Sequence, residues 1–168
     1  HANHVLEHTK SVQKGDWAQS LDFSYMVAPQ TELAGKTIGF VGFGNVAQKT
    51  ADIAAAFGMR VIANSRTMKG QENRKNFSWV GLDELCAQAD YISVNCPLTP
   101  QTQGMINRDF LSKMKPSAML INTSRGPVVA EQDLADALNH GAIAAAAVDV
   151  LSTEPPKADN PLLSARNI

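Results

Sequence analysis

Gly42-Phe-Gly44-Asn-Val-Ala47 is the stretch whose residue types and spacing most directly imply chemistry. A first glycine permits a tight turn, a second lets backbone approach a pyrophosphate, and a small third residue, here Ala47, lets a following helix pack closely. The first N–H groups of such a helix lack partners within it and carry the positive end of its dipole, which suits a phosphate. Taken alone, the pattern is also that of an ordinary glycine-rich turn. Its context favours the phosphate reading. Thr37-Ile-Gly-Phe-Val41 before it is a near-continuous apolar run, as a strand buried on both faces requires. After it, Val46, Thr50, Ile53 and Phe57 recur at spacings of four, three and four before Gly58, which is a helical period with its stop.

A carboxylate about 20 positions beyond the first glycine would hold the ribose 2'-hydroxyl of NAD. Ser65 stands twenty-three positions beyond Gly42, followed by Arg66. A hydroxyl beside a guanidinium suits a 2'-phosphate, because the repelling carboxylate is gone and arginine makes charge-assisted bonds to phosphate. The cofactor is therefore NADP or NAD, with NADP favoured. Lys69, Arg74 and Lys75 add positive charge nearby, for which a solvated basic loop is the structural alternative. Gly35-Lys-Thr37 resembles the end of a phosphate-binding P-loop, but Gln30 stands where that loop needs glycine, and a strand follows instead of a helix. His1, His4 and His8 share a helical face by spacing, yet only Glu7, on another face, lies near them, so no metal is assigned.

The elements that must position these residues follow from periodicity. Strands are predicted at 37–41, 59–63, 91–95, 118–122 and 142–148, and helices at 45–57, 82–89, 107–114 and 131–140, with helical character over 1–17 and an irregular proline-rich loop over 152–161. Apolar runs alternating with helices predict an α/β fold of the Rossmann type, a doubly wound parallel sheet with helices on both faces. With 168 residues, 44% hydrophobic and 18% charged, the composition is that of a folded domain. A net charge of −1 offers no bulk basic field for nucleic acid or an acidic membrane. No apolar stretch reaches the roughly 20 residues that span a bilayer. Cys86 and Cys96 form no C-x-x-C pair and are expected to be reduced thiols in a cytoplasmic protein.

Four ordered segments carry a family resemblance: residues 32–44 around the glycine turn, Pro97-Leu-Thr-Pro-Gln-Thr102 with Ile106-Asn107, Ile121-Asn-Thr-Ser-Arg-Gly126, and Val148-Asp-Val-Leu-Ser-Thr-Glu-Pro155. Together they resemble the D-isomer-specific 2-hydroxyacid dehydrogenases, in particular the glycerate dehydrogenase or hydroxypyruvate reductase branch, from about Lys10 onward. The resemblance implies that Arg125 grips the substrate carboxylate and orients its 2-oxo group, and that Glu154 pairs with a catalytic histidine. Without the resemblance, Arg125 reads as a surface ion-pair partner and Glu154 as a cap on a proline-rich loop. It further implies that Asn45 and Val46 donate backbone N–H groups to the pyrophosphate, that Cys96 and Pro97 line the adenosine side, and that Thr102 fixes the adjoining loop. Thr123 and Asp149 are implied to border the nicotinamide, Asp149 at its carboxamide. Two residues depart from the common pattern: Asn95 stands where many relatives carry histidine, and Ser65 where aspartate is common.

None of His1, His4, His8 or His140 lies in the Pro-His motif of the family, so the catalytic histidine is expected beyond residue 168. Residues 1–20 are then expected to be the remnant of an interdomain connecting helix and a homodimer contact of the full-length protein. Residues 21–168 are expected to form the NAD(P)-binding domain, with the substrate domain absent from this chain. The implied activity is hydride transfer between a nicotinamide dinucleotide and a D-2-hydroxy or 2-oxo acid, with glycerate and hydroxypyruvate or glyoxylate as substrates. The alternative is a non-enzymatic, NAD(H)-sensing corepressor-like domain.

Overall fold

The computed structural model describes residues 3–71 and 73–168, which form two compact units, one ending at Leu33 and one running from Ala34 to Ile168.

In the first unit, helix α1 (Val5–Lys14) ends on Gly15, whose left-handed backbone lets its N–H reach the Ser11 and Val12 carbonyls. The imidazole of His8 is engaged at both nitrogens, Nδ1 with the His4 carbonyl at 2.8 Å and Nε2 with the Val27 N–H at 3.4 Å. One neutral tautomer makes both bonds, so His8 ties α1 to the segment after it. Of the three histidines considered for a metal, His1 lies outside the described residues. Among those described, no three metal-ligating side chains converge.

The second unit is built on six parallel strands: β1 (Thr37–Val41), β2 (Arg60–Asn64), β3 (Phe77–Trp79), β4 (Tyr91–Val94), β5 (Met119–Asn122) and β6 (Ala145–Val148). Their order across the sheet is β3-β2-β1-β4-β5-β6. The winding reverses at β1, and right-handed crossovers running both ways from it put helices on both faces. Helix α2 (Asn45–Ala56) links β1 to β2, while α3 (Leu82–Gln88), α4 (Arg108–Ser112) and α5 (Glu131–Asn139) touch one another in sequence. All residues of β1 and β4 are buried, as central strands covered on both faces must be. Phe40, Ile62, Leu85, Ile92, Leu120 and Leu134 fill the core, each worth about 1.5–3 kcal/mol relative to exposure.

Three features differ from the sequence expectations. Strand β3 was not predicted: it has three residues, lies at the sheet edge, and is held by pairing of Val61 with Phe77 and by aromatic packing of Phe43, Phe77 and Trp79. The strand over 142–148 is shorter, beginning at Ala145. The apolar stripe that marked α2 faces outward, with Val46, Ile53 and Phe57 exposed, whereas Ala47, Ala51 and Ala54 are buried. Small side chains pack this helix against its neighbours, so the same period revealed the helix but not its buried face.

At the edge opposite the glycine turn, Asp90 joins three strands. Its carboxylate accepts the Thr37 N–H at 2.8 Å and the Lys115 ammonium at 2.9 Å, and its backbone pairs with Thr37 and Met119. Partial burial raises the Asp90 carboxyl, but these two donors outweigh it and hold it below the usual range. A lowered carboxyl stabilises the fold fully above its ordinary value near pH 4, and this contribution fades as pH falls through the lowered value. Asp90→Ala is expected to cost about 2 kcal/mol at pH 7, measured by urea unfolding, with the gap from the parent protein narrowing below about pH 4.

Candidate functional site

The carboxyl ends of β1, β2, β4 and β5 converge at the point where the winding reverses, where open α/β sheets leave a crevice. Gly42 makes the turn out of β1 with φ +88°, and a Cβ on it would lie 2.7 Å from the Cys96 backbone nitrogen. Only glycine satisfies both the left-handed conformation and the contact. Gly44 is different: its backbone is extended, and a Cβ there would meet nothing within 4 Å. The space above it is open, and among the described residues no side chain caps the helix that starts at Asn45. The first N–H groups of α2, on Asn45, Val46 and Ala47, thus have no helical acceptor. This open cradle of donors at the positive end of a twelve-residue helix fits a pyrophosphate.

Two adjoining cavities flank the turn. One, of about 730 Å³, is lined by Gly42, Ser65, Arg66, Cys96, Pro97 and Thr102, together with Asn64, Thr67, Thr99, Gln101 and others. Among the described residues, no carboxylate lines it. The other, of about 480 Å³, is lined by Val46, Cys96, Pro97, Thr123 and Arg125, with Asn95, Leu98 and Ser124. Cys96 and Pro97 form the shared wall. Burial raises the Cys96 thiol above its ordinary value, so it stays protonated at neutral pH as an apolar wall. The Thr102 hydroxyl donates to the Pro97 carbonyl at 2.7 Å and accepts the Thr99 N–H at 2.8 Å, which closes the 97–102 loop on itself.

The basic residues separate into two roles. Arg66 is exposed and lines the larger cavity. Arg74 is turned away: its guanidinium pairs with Asp52, bonds Gln71 and lies 5.7 Å from the centre of the Phe43 ring. It braces the loop against the aromatic cluster and leaves Arg66 as the cation of that wall.

Arg125 and Glu154 sit on neighbouring loops. Gly126, directly after Arg125, lies against the Leu151 backbone so closely that any Cβ would overlap the Leu151 carbonyl. The loop after β5 is thereby held to the loop after β6, which carries Asp149 and Glu154. Arg125 is exposed, and one guanidinium nitrogen donates to the Ser124 carbonyl at 2.7 Å. Glu154 is exposed and accepts the Leu151 N–H at 2.8 Å through one oxygen, so it does cap its own loop. No ion pair joins it to Arg125 among the described residues. Asp149 is exposed at the end of β6, its N–H donating to the Asn122 carbonyl at 3.0 Å, and like Glu154 it lines neither cavity. Thr67 was not singled out by the sequence, and Thr99, Gln101 and Asn122, although inside segments that carry the resemblance, were given no role there. Each follows or ends a strand, and that position, with the quoted segments for the last three, was the signal.

Residues 1–168 match the family described as D-isomer specific 2-hydroxyacid dehydrogenase, NAD binding domain. The chain belongs to this family. It is 45% identical over 165 residues to a hydroxypyruvate reductase of Blautia hydrogenotrophica, covering 98% of this chain and 51% of that protein. It is 39% identical over 161 residues to a glycerate dehydrogenase of Methylorubrum extorquens, covering 96% and 49%. Among solved structures it superposes with a TM-score of 0.81 and 34% identity on an acyclic imino acid reductase in complex with NADPH and D-Arg, covering 99% and 50%. The chain spans about half the length of the curated relatives it matches. Within this NAD-binding domain family, the β1–turn–α2 unit is the element whose geometry fits a dinucleotide most directly.

The two glycines of the turn are expected to separate on substitution. Gly42→Ala should lower unfolding stability by at least about 1–3 kcal/mol from backbone strain alone. Gly44→Ala should leave stability nearly unchanged while weakening dinucleotide binding about tenfold or more, because its methyl enters the space a phosphate would occupy. Urea unfolding and calorimetric titration with NADH and NADPH separate the two.

Proposed function

We propose that this chain is the cofactor-binding half of a cytoplasmic, NAD(P)-dependent reductase of small 2-oxo acids, hydroxypyruvate or glyoxylate, to the corresponding D-2-hydroxy acids. One observation carries this reading: Arg125 and Thr123 line a cavity that shares a wall with the cleft beside the phosphate-binding turn. A dinucleotide whose pyrophosphate lies on Asn45 and Val46 would extend its adenosine past Ser65 and Arg66 and its nicotinamide toward Thr123 and Asp149. Cys96 and Pro97, the wall that the two cavities share, offer apolar contact between the two ends.

The bound nicotinamide supplies the hydride. The chain's own residues do the rest of what residues 1–168 can do. Arg125 pairs with the substrate carboxylate and turns the 2-oxo carbon toward the nicotinamide side of the cleft. Glu154 uses one oxygen on its loop and keeps the other for an imidazole. A carboxylate beside an imidazole favours its protonated form, which delivers a proton to the 2-oxo oxygen. We assign that imidazole to a histidine outside residues 1–168, in agreement with the relatives' length. The relatives named as reductases and dehydrogenases favour catalysis over the corepressor-like alternative. The exposed Val5, Leu6, Leu21 and Phe23 of the first unit suit the homodimer contact expected there, and the free thiols of Cys86 and Cys96 suit a reducing compartment. No helix of the described residues is long and apolar enough to cross a membrane.

For the adenosine end, we favour NADP. The larger cavity presents Ser65, Arg66 and Thr67 as donors, and among the described residues no carboxylate lines it to repel a 2'-phosphate. Arg66→Ala is expected to weaken NADPH binding by about tenfold or more while changing NADH binding little. Equal losses in parallel fluorescence titrations would refute this assignment.

The isolated chain is expected to bind dinucleotide and to turn over neither hydroxypyruvate nor glyoxylate, whereas the full-length protein reduces both. Dinucleotide oxidation by residues 1–168 alone would contradict the assignment of the proton donor.

A further inference from the structure

Asn122 ends β5 with its side chain only 1% exposed, and it is among the few buried polar residues of the described chain. A buried carboxamide must find partners or cost stability. Asn122 finds all of them in the three residues that follow. Its Oδ1 accepts the Ser124 N–H at 3.1 Å and the Ser124 hydroxyl at 3.0 Å, and its Nδ2 donates to the Arg125 carbonyl at 3.1 Å. Its backbone carbonyl takes the Asp149 N–H at 3.0 Å. The Arg125 guanidinium folds back onto the Ser124 carbonyl, the next backbone group in the same clamp. On the far side, Gly126 is fixed by its contact with the Leu151 backbone. The backbone of Arg125 is thus gripped from below by Asn122 and from one side by Leu151, while its guanidinium stays exposed at the cavity.

We propose that Asn122 is a positioning residue for the substrate: its carboxamide sets the 123–125 turn so that Arg125 meets a 2-oxo acid carboxylate. A residue that served only the core would direct its hydrogen bonds into the core. Asn122 sends them to Ser124 and Arg125, so its removal should be felt as lost carboxylate affinity, through Arg125. The proposal rests on the reading of Arg125 given above, and its test separates the two.

The test uses the full-length protein and oxamate, a carboxylate whose neighbouring carbonyl imitates a 2-oxo acid. Three quantities are measured for each variant: oxamate affinity for the protein saturated with NADPH, NADPH affinity alone, and the thermal midpoint. Asn122→Leu is expected to weaken oxamate about tenfold or more, since small misplacements of a binding group carry large penalties, and to change NADPH affinity by less than about threefold. If Asn122 acts through Arg125, the double variant with Arg125→Ala loses no more oxamate affinity than Arg125→Ala alone. Unchanged oxamate affinity in Asn122→Leu, equal losses for oxamate and NADPH, or full additivity in the double variant would each overturn the proposal. If Arg125→Ala itself leaves oxamate binding intact, the reading of Arg125 falls and the proposal with it. If Arg125→Ala weakens oxamate and Asn122→Leu does not, only the proposal falls. Should the leucine variant fail to fold, Asn122→Asp takes its place under the same criteria, keeping the acceptor for Ser124 and losing the donor to Arg125.

Discussion

Where the chain leaves β1 it passes so near the end of β4 that a Cβ on Gly42 would sit 2.7 Å from the Cys96 nitrogen. That backbone-to-backbone approach closes the floor of the crevice at the point where the sheet reverses its winding. It also aims α2 so that its uncapped N–H groups face the opening, with Gly44 leaving the space beside them empty. A second such approach, Gly126 against Leu151, brings the loop after β5 onto the loop after β6. Between them, these two contacts hold the glycine turn against the end of β4 and the Arg125 turn against the loop that carries Glu154. Neither involves a side chain of its own, so both tolerate only glycine.

The two ends of the sheet divide the work. At the amino ends of β1 and β4, Asp90, Thr37 and Lys115 form a hydrogen-bonded polar knot. At the carboxyl ends, backbone donors of α2 and the guanidiniums of Arg66 and Arg125 are left facing outward. Stability is concentrated where hydrogen bonds are internal, and binding capacity where they are left open for a ligand.

The strand–turn–helix unit from Thr37 to Ala56 was legible in the sequence because its signals are local: an apolar run, two glycines and a helical period. Strand β3 was not, because its three residues owe their conformation to pairing with β2 and to rings contributed by Phe43. The outward turn of Val46, Ile53 and Phe57 was hidden for a similar reason, since periodicity locates an apolar stripe but not what packs against the opposite face. Of the basic residues near Ser65, the sequence could not distinguish Arg74, drawn off by Asp52, from Arg66 in the cleft. Arg125 and Glu154 are implied only by the resemblance, and their loops are held together by Gly126 against Leu151, a contact between residues far apart in the chain.

On the proposed reading, the first backbone N–H groups of α2 hold the dinucleotide pyrophosphate. Amide chemical shifts followed by NMR during titration of the chain with NADPH test it most directly. The expected result is that the largest changes fall on Gly44, Asn45, Val46 and Ala47, with Asp90 and Lys115 at the opposite end of the sheet unmoved. Saturable binding that leaves the amides of 44–47 unshifted would contradict it.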